Sequence, residues 1–305
     1  MNLLAKLEAR ACPVCGAPSE RARLFLDRSI DVARITDASF ASRKLPEYMS
    51  HRLVRCADCT TIYAVEGPSP EMLAAVYRDA SYDSALEAEM AATTYARILA
   101  PHVALLPRRG ALLEIGAGTG VLLARMAGAG FAERIGVEPS RAAIEAADAA
   151  VKPLIREGVF RASDFTPGSM SMICCFQTLE HVPDPRRLVE DALGLLEPGG
   201  MLALITHNAD ALLNRALGRR SPIIDIEHLQ LFTPVNMRFL LGHAGYERVT
   251  IESFWNKYPL RYWLRLAPLP MKQRALALAE ATGLGALSVA ANVGNILTTA
   301  WKRAG

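Results

Sequence analysis

Residues 111–120, Ala-Leu-Leu-Glu-Ile-Gly-Ala-Gly-Thr-Gly, constrain this chain more than any other stretch. The apolar run from Ala111 to Ile115 reads as a buried strand. It breaks into a turn at Gly116, Gly118 and Gly120, and Val121 to Met126 then resume a helical pattern. Glycines at alternate positions let the backbone turn sharply and let a ligand approach the main chain where a side chain would block it. Such a loop between a strand end and a helix start is a nucleotide-type binding site. Strands and helices alternate downstream of it (134–138, 140–149, 171–176, 185–196, 200–206, 234–243, 247–254), which predicts a parallel, doubly wound α/β sheet.

The second strand, in Arg134-Ile-Gly-Val-Glu-Pro-Ser140, ends in an acid, Glu138. An acid about 20 residues beyond a glycine loop accepts hydrogen bonds from ribose hydroxyls in dinucleotide-binding folds. The loop departs from the dinucleotide pattern, however. It is G-x-G-x-G, lacking the third glycine that a pyrophosphate needs for close helix packing, and Glu114 precedes it. That acid repels a phosphate and suits a cationic or amino-acid-like ligand. Two further blocks follow, Phe176-Gln-Thr-Leu-Glu-His-Val-Pro-Asp-Pro185 and Leu195-Leu-Glu-Pro-Gly-Gly200.

These four ordered blocks resemble class I S-adenosylmethionine-dependent methyltransferases over roughly residues 95–255. The resemblance implies a mostly parallel seven-stranded, Rossmann-like sheet. It places Glu114 and the loop residues Gly116, Ala117, Gly118 and Gly120 at the amino-acid part of S-adenosylmethionine, and Glu138 with Pro139 at its ribose. Asp164 is the available acid for the adenine, and Gln177 joins the cofactor-binding set.

Methyl transfer is an in-line displacement at an activated sulfonium, so the enzyme mainly aligns the nucleophile and removes its proton. His181, beside Glu180 at the end of the fourth strand, and His228, in Glu227-His-Leu-Gln-Leu-Phe-Thr-Pro234, are the candidate bases or acceptor-orienting groups. A structural role for His181, bonded to backbone, stands beside that reading. The Gln177-Thr-Leu-Glu180-His181 run is also similar to the E-x-x-E-H motif of metal-dependent O-methyltransferases and to ubiquinone-biosynthesis-type O-methyltransferases. By that resemblance Glu180, His181 and His228 would ligate a divalent ion, with Gln177 replacing one acid by a poorer ligand.

Cys12-Pro-Val-Cys15 and Cys56-Ala-Asp-Cys59 are two C-x-x-C knuckles, able to give four thiolates to one structural Zn2+. The stretch from Phe25 to Met49 reads as an inserted hairpin or loop. Zinc-ribbon modules in front of this methyltransferase type are similar, and the resemblance implies a module that helps hold or cover the acceptor. Cys174 and Cys175, in an apolar strand, read as buried thiols. The expected organisation is a cysteine module at 1–66, a linker and N-terminal helices at 67–110, the cofactor-binding core at 111–254, and a helical cover with a final strand at 255–305.

A net charge of +3 and scattered arginine pairs argue against nucleic acid as a partner. No apolar leader precedes the first cysteines, so a cytoplasmic setting is expected, which favours metal ligation over disulfides. Residues 281–301 carry no charge, but glycines and asparagines dilute them, and Ile296 to Trp301 reads as the last strand rather than a membrane span. Aromatic residues and arginines between Trp255 and Arg265 suggest a cover over the sheet, a lid against a large acceptor, or a patch resting on a membrane. The expected acceptor is a hydroxyl of a small molecule, a saccharide or a lipid-linked precursor. An RNA-directed or membrane-associated lipid methyltransferase is the alternative.

Overall fold

A computed structural model describes residues 7–41, 48–82, 85–267 and 269–305. Part of the expected cysteine module (1–6) and part of its inserted stretch (42–47) lie outside the described residues. The large sheet has seven strands: β1 (Ala111–Ile115), β2 (Glu133–Glu138), β3 (Ile155–Glu157), β4 (Met170–Phe176), β5 (Leu196–His207), β6 (Glu247–Ser253) and β7 (Asn295–Trp301). Their order across the sheet is β6-β7-β5-β4-β1-β2-β3. β7 pairs antiparallel with both β5 and β6, and the pairings among β1 to β5 are parallel. This is the mostly parallel, doubly wound sheet expected.

The central strands are buried on both faces, which is why Met170 to Phe176 is an unbroken apolar and small-residue run. Alternate residues feed two layers. Leu113, Ile115, Ile173 and Cys175 pack on one side, with helices Pro185–Leu195 and Pro234–Ala244; Leu112, Met172, Cys174 and Phe176 pack on the other, against helix Ala85–Val103. Cys174 and Cys175 are buried thiols, as expected. The N-termini of both helices on the first side are set locally. Asp184 accepts from Arg187 N ahead of Pro185, and Thr233 forms a reciprocal capping box with Asn236 ahead of Pro234.

The cysteine knuckles stand on the first side too. Cys12, Val14, Cys56, Cys59 and Tyr63 share their apolar cluster with Leu188, Val189 and Phe232 of the core. The module's sheet, built from Arg23–Leu26, Leu53–Arg55 and Ile62–Ala64, takes a fourth strand, Gln230–Leu231, from the His228 block. That short strand was not expected from the sequence.

The stretch after β6 forms an arm. Strands Asn256–Pro259 and Ser288–Ala291 pair as a ribbon, with helices Leu260–Leu266 and Lys272–Ala281 between them. No helix among the described residues is long and apolar enough to cross a membrane.

Candidate active site

The carboxyl ends of β1, β2, β4 and β5 open into one cavity of about 610 Å³. Ligands in doubly wound sheets bind at this edge, where the strand order reverses between β1 and β4. Gly116, Gly118 and Gly120 all hold left-handed backbone, with φ of 75°, 55° and 69°. A Cβ on Gly116 would collide with the Thr178 side chain, whereas one on Gly118 would meet nothing within 4 Å. The first glycine therefore lets the loop pack on the fourth strand's exit, and the second leaves open space beside the main chain. Both carboxylate oxygens of Glu138 are held by backbone: Gly118 N donates to Oε2 at 2.7 Å and Ser140 N to Oε1 at 2.8 Å. Burial nonetheless raises the Glu138 pKa, against those two bonds.

Glu114, Gly116, Ala117, Gly118, Glu138, Pro139 and Gln177 all line the cavity. Gly120 caps helix Val121–Arg125 behind them. Gln177 adopts φ 51°, an unusual conformation for a residue with a side chain, and its buried Nε2 has no partner among the described residues. Asp164 departs from expectation. It sits on an exposed 3-10 turn, Ala162–Asp164, outside the cavity wall, and Gly158, Val159 and Phe160 after β3 line the wall instead. Three-residue β3 lies at the sheet edge, so the chain reaches the cavity immediately after it.

The far end of the cavity gathers three histidines. His181 and His228 ring centroids are 4.9 Å apart, and His207 and His228 rings 5.3 Å. His181 Nδ1 lies 2.9 Å from Tyr77 Oη and 3.7 Å from Glu227 Oε1. Burial by itself would lower the His181 pKa. The hydrogen bond and charge of Glu227, with Glu180 and Asp225 behind, outweigh it and raise the imidazole above its ordinary value. His228 behaves oppositely: burial, then the neighbouring His181 and His207, push it down to about 4. His228 Nδ1 is 2.8 Å from Ile223 O, so the neutral ring donates there and keeps its Nε2 lone pair.

Glu180 corrects a second expectation. It is fully buried and absent from the cavity wall; its Oε1 accepts from His207 N at 2.7 Å and lies 3.3 Å from His207 Nδ1. Glu180 positions His207 rather than touching a ligand. Nor do Glu180, His181 and His228 converge within 4.8 Å as the metal set that the Gln177–His181 run suggested. Among the described residues, the four cysteines are the set of His, Cys, Asp and Glu side chains whose ligand atoms converge within 4.8 Å.

Those cysteines fit a zinc ion. Cys12 and Cys59 Sγ are 3.4 Å apart, and Cys15 and Cys56 Sγ 3.5 Å, close to the edge of a ZnS4 tetrahedron, ~3.8 Å for bonds of ~2.3 Å. Each knuckle folds back by a backbone bond (Cys12 N to Ala17 O, Cys56 N to Thr61 O, both 2.9 Å) and turns through a left-handed residue, Gly16 in one and Thr60 in the other. A bound Zn2+ would tie the two knuckles together and supply no reacting atom.

Sequence reasoning missed Tyr77, His207, Asp225, Glu227 and Arg10. His207 was legible as the last residue of a buried strand at the cofactor edge, and Glu227 as the neighbour of His228. Arg10 carried no local signal. Its half-buried guanidinium donates to Ala64 O and Leu229 O at 3.2 Å, Pro183 O at 2.8 Å and Gln230 Oε1 at 3.0 Å. Gln230 Nε2 in turn donates to Leu179 O and Val182 O, at 2.8 and 2.9 Å. The cysteine module is thereby tied to the loops carrying both His181 and His228. Burial draws Arg10 down to about 10, which leaves it charged at neutral pH.

A doubly wound sheet in this strand order, with a glycine loop and a ribose-type acid on one cavity, defines a nucleoside-cofactor-binding α/β protein. The sequence profile of the methyltransferase-domain family matches residues 82–251, more than half the chain. The chain belongs to that family, the class I S-adenosylmethionine-dependent methyltransferases.

Relatives include a ubiquinone biosynthesis O-methyltransferase of Ralstonia nicotianae, 36% identical over 115 residues, covering 35% of this chain and 48% of that protein. Another, of Psychrobacter arcticus, is 26% identical over 169 residues, 50% of this chain and 65% of the relative. The chain thus spans about half to two thirds of the curated relatives it matches. Among solved structures, the YcgJ protein of Bacillus subtilis aligns with a TM-score of 0.49 at 17% identity, over 69% of this chain and 98% of that one. A possible histamine N-methyltransferase of Thermotoga maritima aligns with a TM-score of 0.46 at 19% identity, over 72% and 92%.

Proposed function

We propose that this protein transfers the methyl group of S-adenosylmethionine to a hydroxyl of a small molecule. The observation that carries this reading is one cavity holding the glycine loop and Glu138 at one end and the His181–Glu227 pair at the other. Glu138, held ready by two backbone donors, offers its lone pairs to the ribose hydroxyls, and Glu114 lies on the amino-acid side of the loop. His181 takes the acceptor's proton, and Glu227 stabilises the resulting imidazolium, which strengthens the base. Neutral His228 accepts a hydrogen bond from the acceptor and orients it. The methyl group moves to the hydroxyl oxygen as the sulfonium's S–CH3 bond breaks, releasing S-adenosylhomocysteine and the proton held on His181.

The wall also speaks to acceptor class. Among the described residues, Glu114, Glu138, Asp184, Asp191, Asp225 and Glu227 line it, and the Lys or Arg facing them is Arg187, itself paired with Asp191. Such a wall repels phosphorylated acceptors and sets RNA aside. Phe40, Tyr77, Tyr95 and Tyr262 supply aromatic surface for a neutral ring. The relatives' name, ubiquinone biosynthesis O-methyltransferase, agrees with oxygen as the methylated atom.

The test is thermal stabilisation by S-adenosylhomocysteine, together with transfer of labelled methyl from S-adenosylmethionine to a panel of neutral phenols and sugars. Stabilisation of the wild type and at least tenfold weaker binding by Glu138→Ala are expected. Absence of any stabilisation sinks the reading.

A further inference from the structure

Helix Lys272–Ala281 and its N-cap leave two large apolar side chains facing water. Among its described residues it buries Ala279, while Leu278 and Met271 at the helix N-cap are 66% and 68% exposed. Met271, Arg274 and Leu278, spaced three and four apart, share one face, and Arg274 Nη1 lies 3.7 Å from Met271 Sδ. Leu284 and Leu287 after the helix are exposed as well, as is Trp255, 59% exposed, at the arm's base.

A second segment adjoins the arm. Gly294 leaves no room for a Cβ beside Ala211 and Asn214, and Asn208 N donates to Gly294 O at 2.8 Å. This packing sets residues 211–222, with Leu212 84% exposed, beside the end of the arm. Together 211–222 and 255–291 hold nine of the sixteen large apolar side chains exposed among the described residues. The same two segments carry eight Lys and Arg against Glu280 alone, a net of +7, so the remainder of a chain whose total is +3 carries −4.

We propose that the surface formed by 211–222 and 255–291 docks on an anionic lipid bilayer. Exposed Leu, Met and Trp interleaved with Arg and Lys match a headgroup layer of negative charge over apolar chains. A second copy of this chain fits poorly, because it would bring two strongly positive faces together. The arm supplies Tyr262 and Leu266 to the cavity wall, so the docked surface borders the active site. The inference does not rest on the methyl-transfer reading, because vesicle binding requires no cofactor.

The full chain is incubated with vesicles of phosphatidylcholine alone or with about 30% phosphatidylglycerol, then sedimented. Co-sedimentation with the anionic vesicles alone is expected, fading at about 0.5 M salt. Met271→Glu with Leu278→Glu, both on the exposed face, should lower partitioning at least tenfold with unchanged circular dichroism. Failure to bind anionic vesicles at low salt overturns the proposal. So does equal binding by the double variant, or a concentration-dependent dimer that binds no vesicles.

Discussion

Single side chains decide two measurable properties. Thr60 ends its cysteine knuckle at φ 63°, where Gly16 performs the same turn in the other knuckle. A β-branched residue pays for left-handed backbone, and its side chain here is exposed, so Thr60→Gly should stabilise the protein by about 1 kcal/mol. A thermal melt with no rise would show that Thr60 packs usefully. At the reacting end, His181→Asn should cut kcat about 10²- to 10⁴-fold while binding of S-adenosylhomocysteine stays as it was. Glu227→Gln removes the charge that raises His181, so the rising limb of the pH–rate profile should move to lower pH. An unmoved limb would assign the proton to another base. Cys12, Cys15, Cys56, Cys59, Glu138 and His181 could all be named as candidates from the sequence because short spacing within a loop or knuckle already restricts where they point.

Elements are tied together by contacts that local pattern does not reveal. Strand Gln230–Leu231 closes the cysteine module's sheet, and Arg10 bonds that module to Pro183 and Leu229, beside the His181 and His228 loops. Arg10→Met leaves three carbonyls and Gln230 Oε1 without this donor. It should cost about 2–4 kcal/mol in denaturant titration and lower kcat, with cofactor affinity little changed. Equal loss of cofactor affinity and turnover would indicate global loosening instead. If the four cysteines hold Zn2+, a chelator should act the same way through the same bonds, read as loss of the module's amide-exchange protection before that of β1 to β5. The periodic elements, β1, β2, β4 and helices 185–195 and 234–244, were readable from alternation and caps. β3 was not, because a three-residue edge strand with Arg156 and Glu157 exposed has no pattern to read; the adenine-side expectation consequently slid to Asp164.

At the scale of the whole molecule, acid is the vulnerable direction. Burial holds His228 and His51 near 4, well below the unfolded value, so both are neutral when folded and take protons when unfolded below about pH 6.5. Their contribution is fully present above that pH and is lost as pH falls toward 4. Between pH 7.5 and 5 each should remove about 2 kcal/mol of stability. Denaturant titrations at the two pH values test this, and His228→Asn should remove one share of the loss. The amino-acid sequence by itself determined the class of sheet, the glycine-loop end of the cavity and the cysteine knuckles, since each depends on residues close together in the chain. Only the tertiary structure brought together the proposed acceptor end. Tyr77, His181, His207 and Glu227 come from four distant segments, and their protonation depends on charges that only folding brings within a few ångströms.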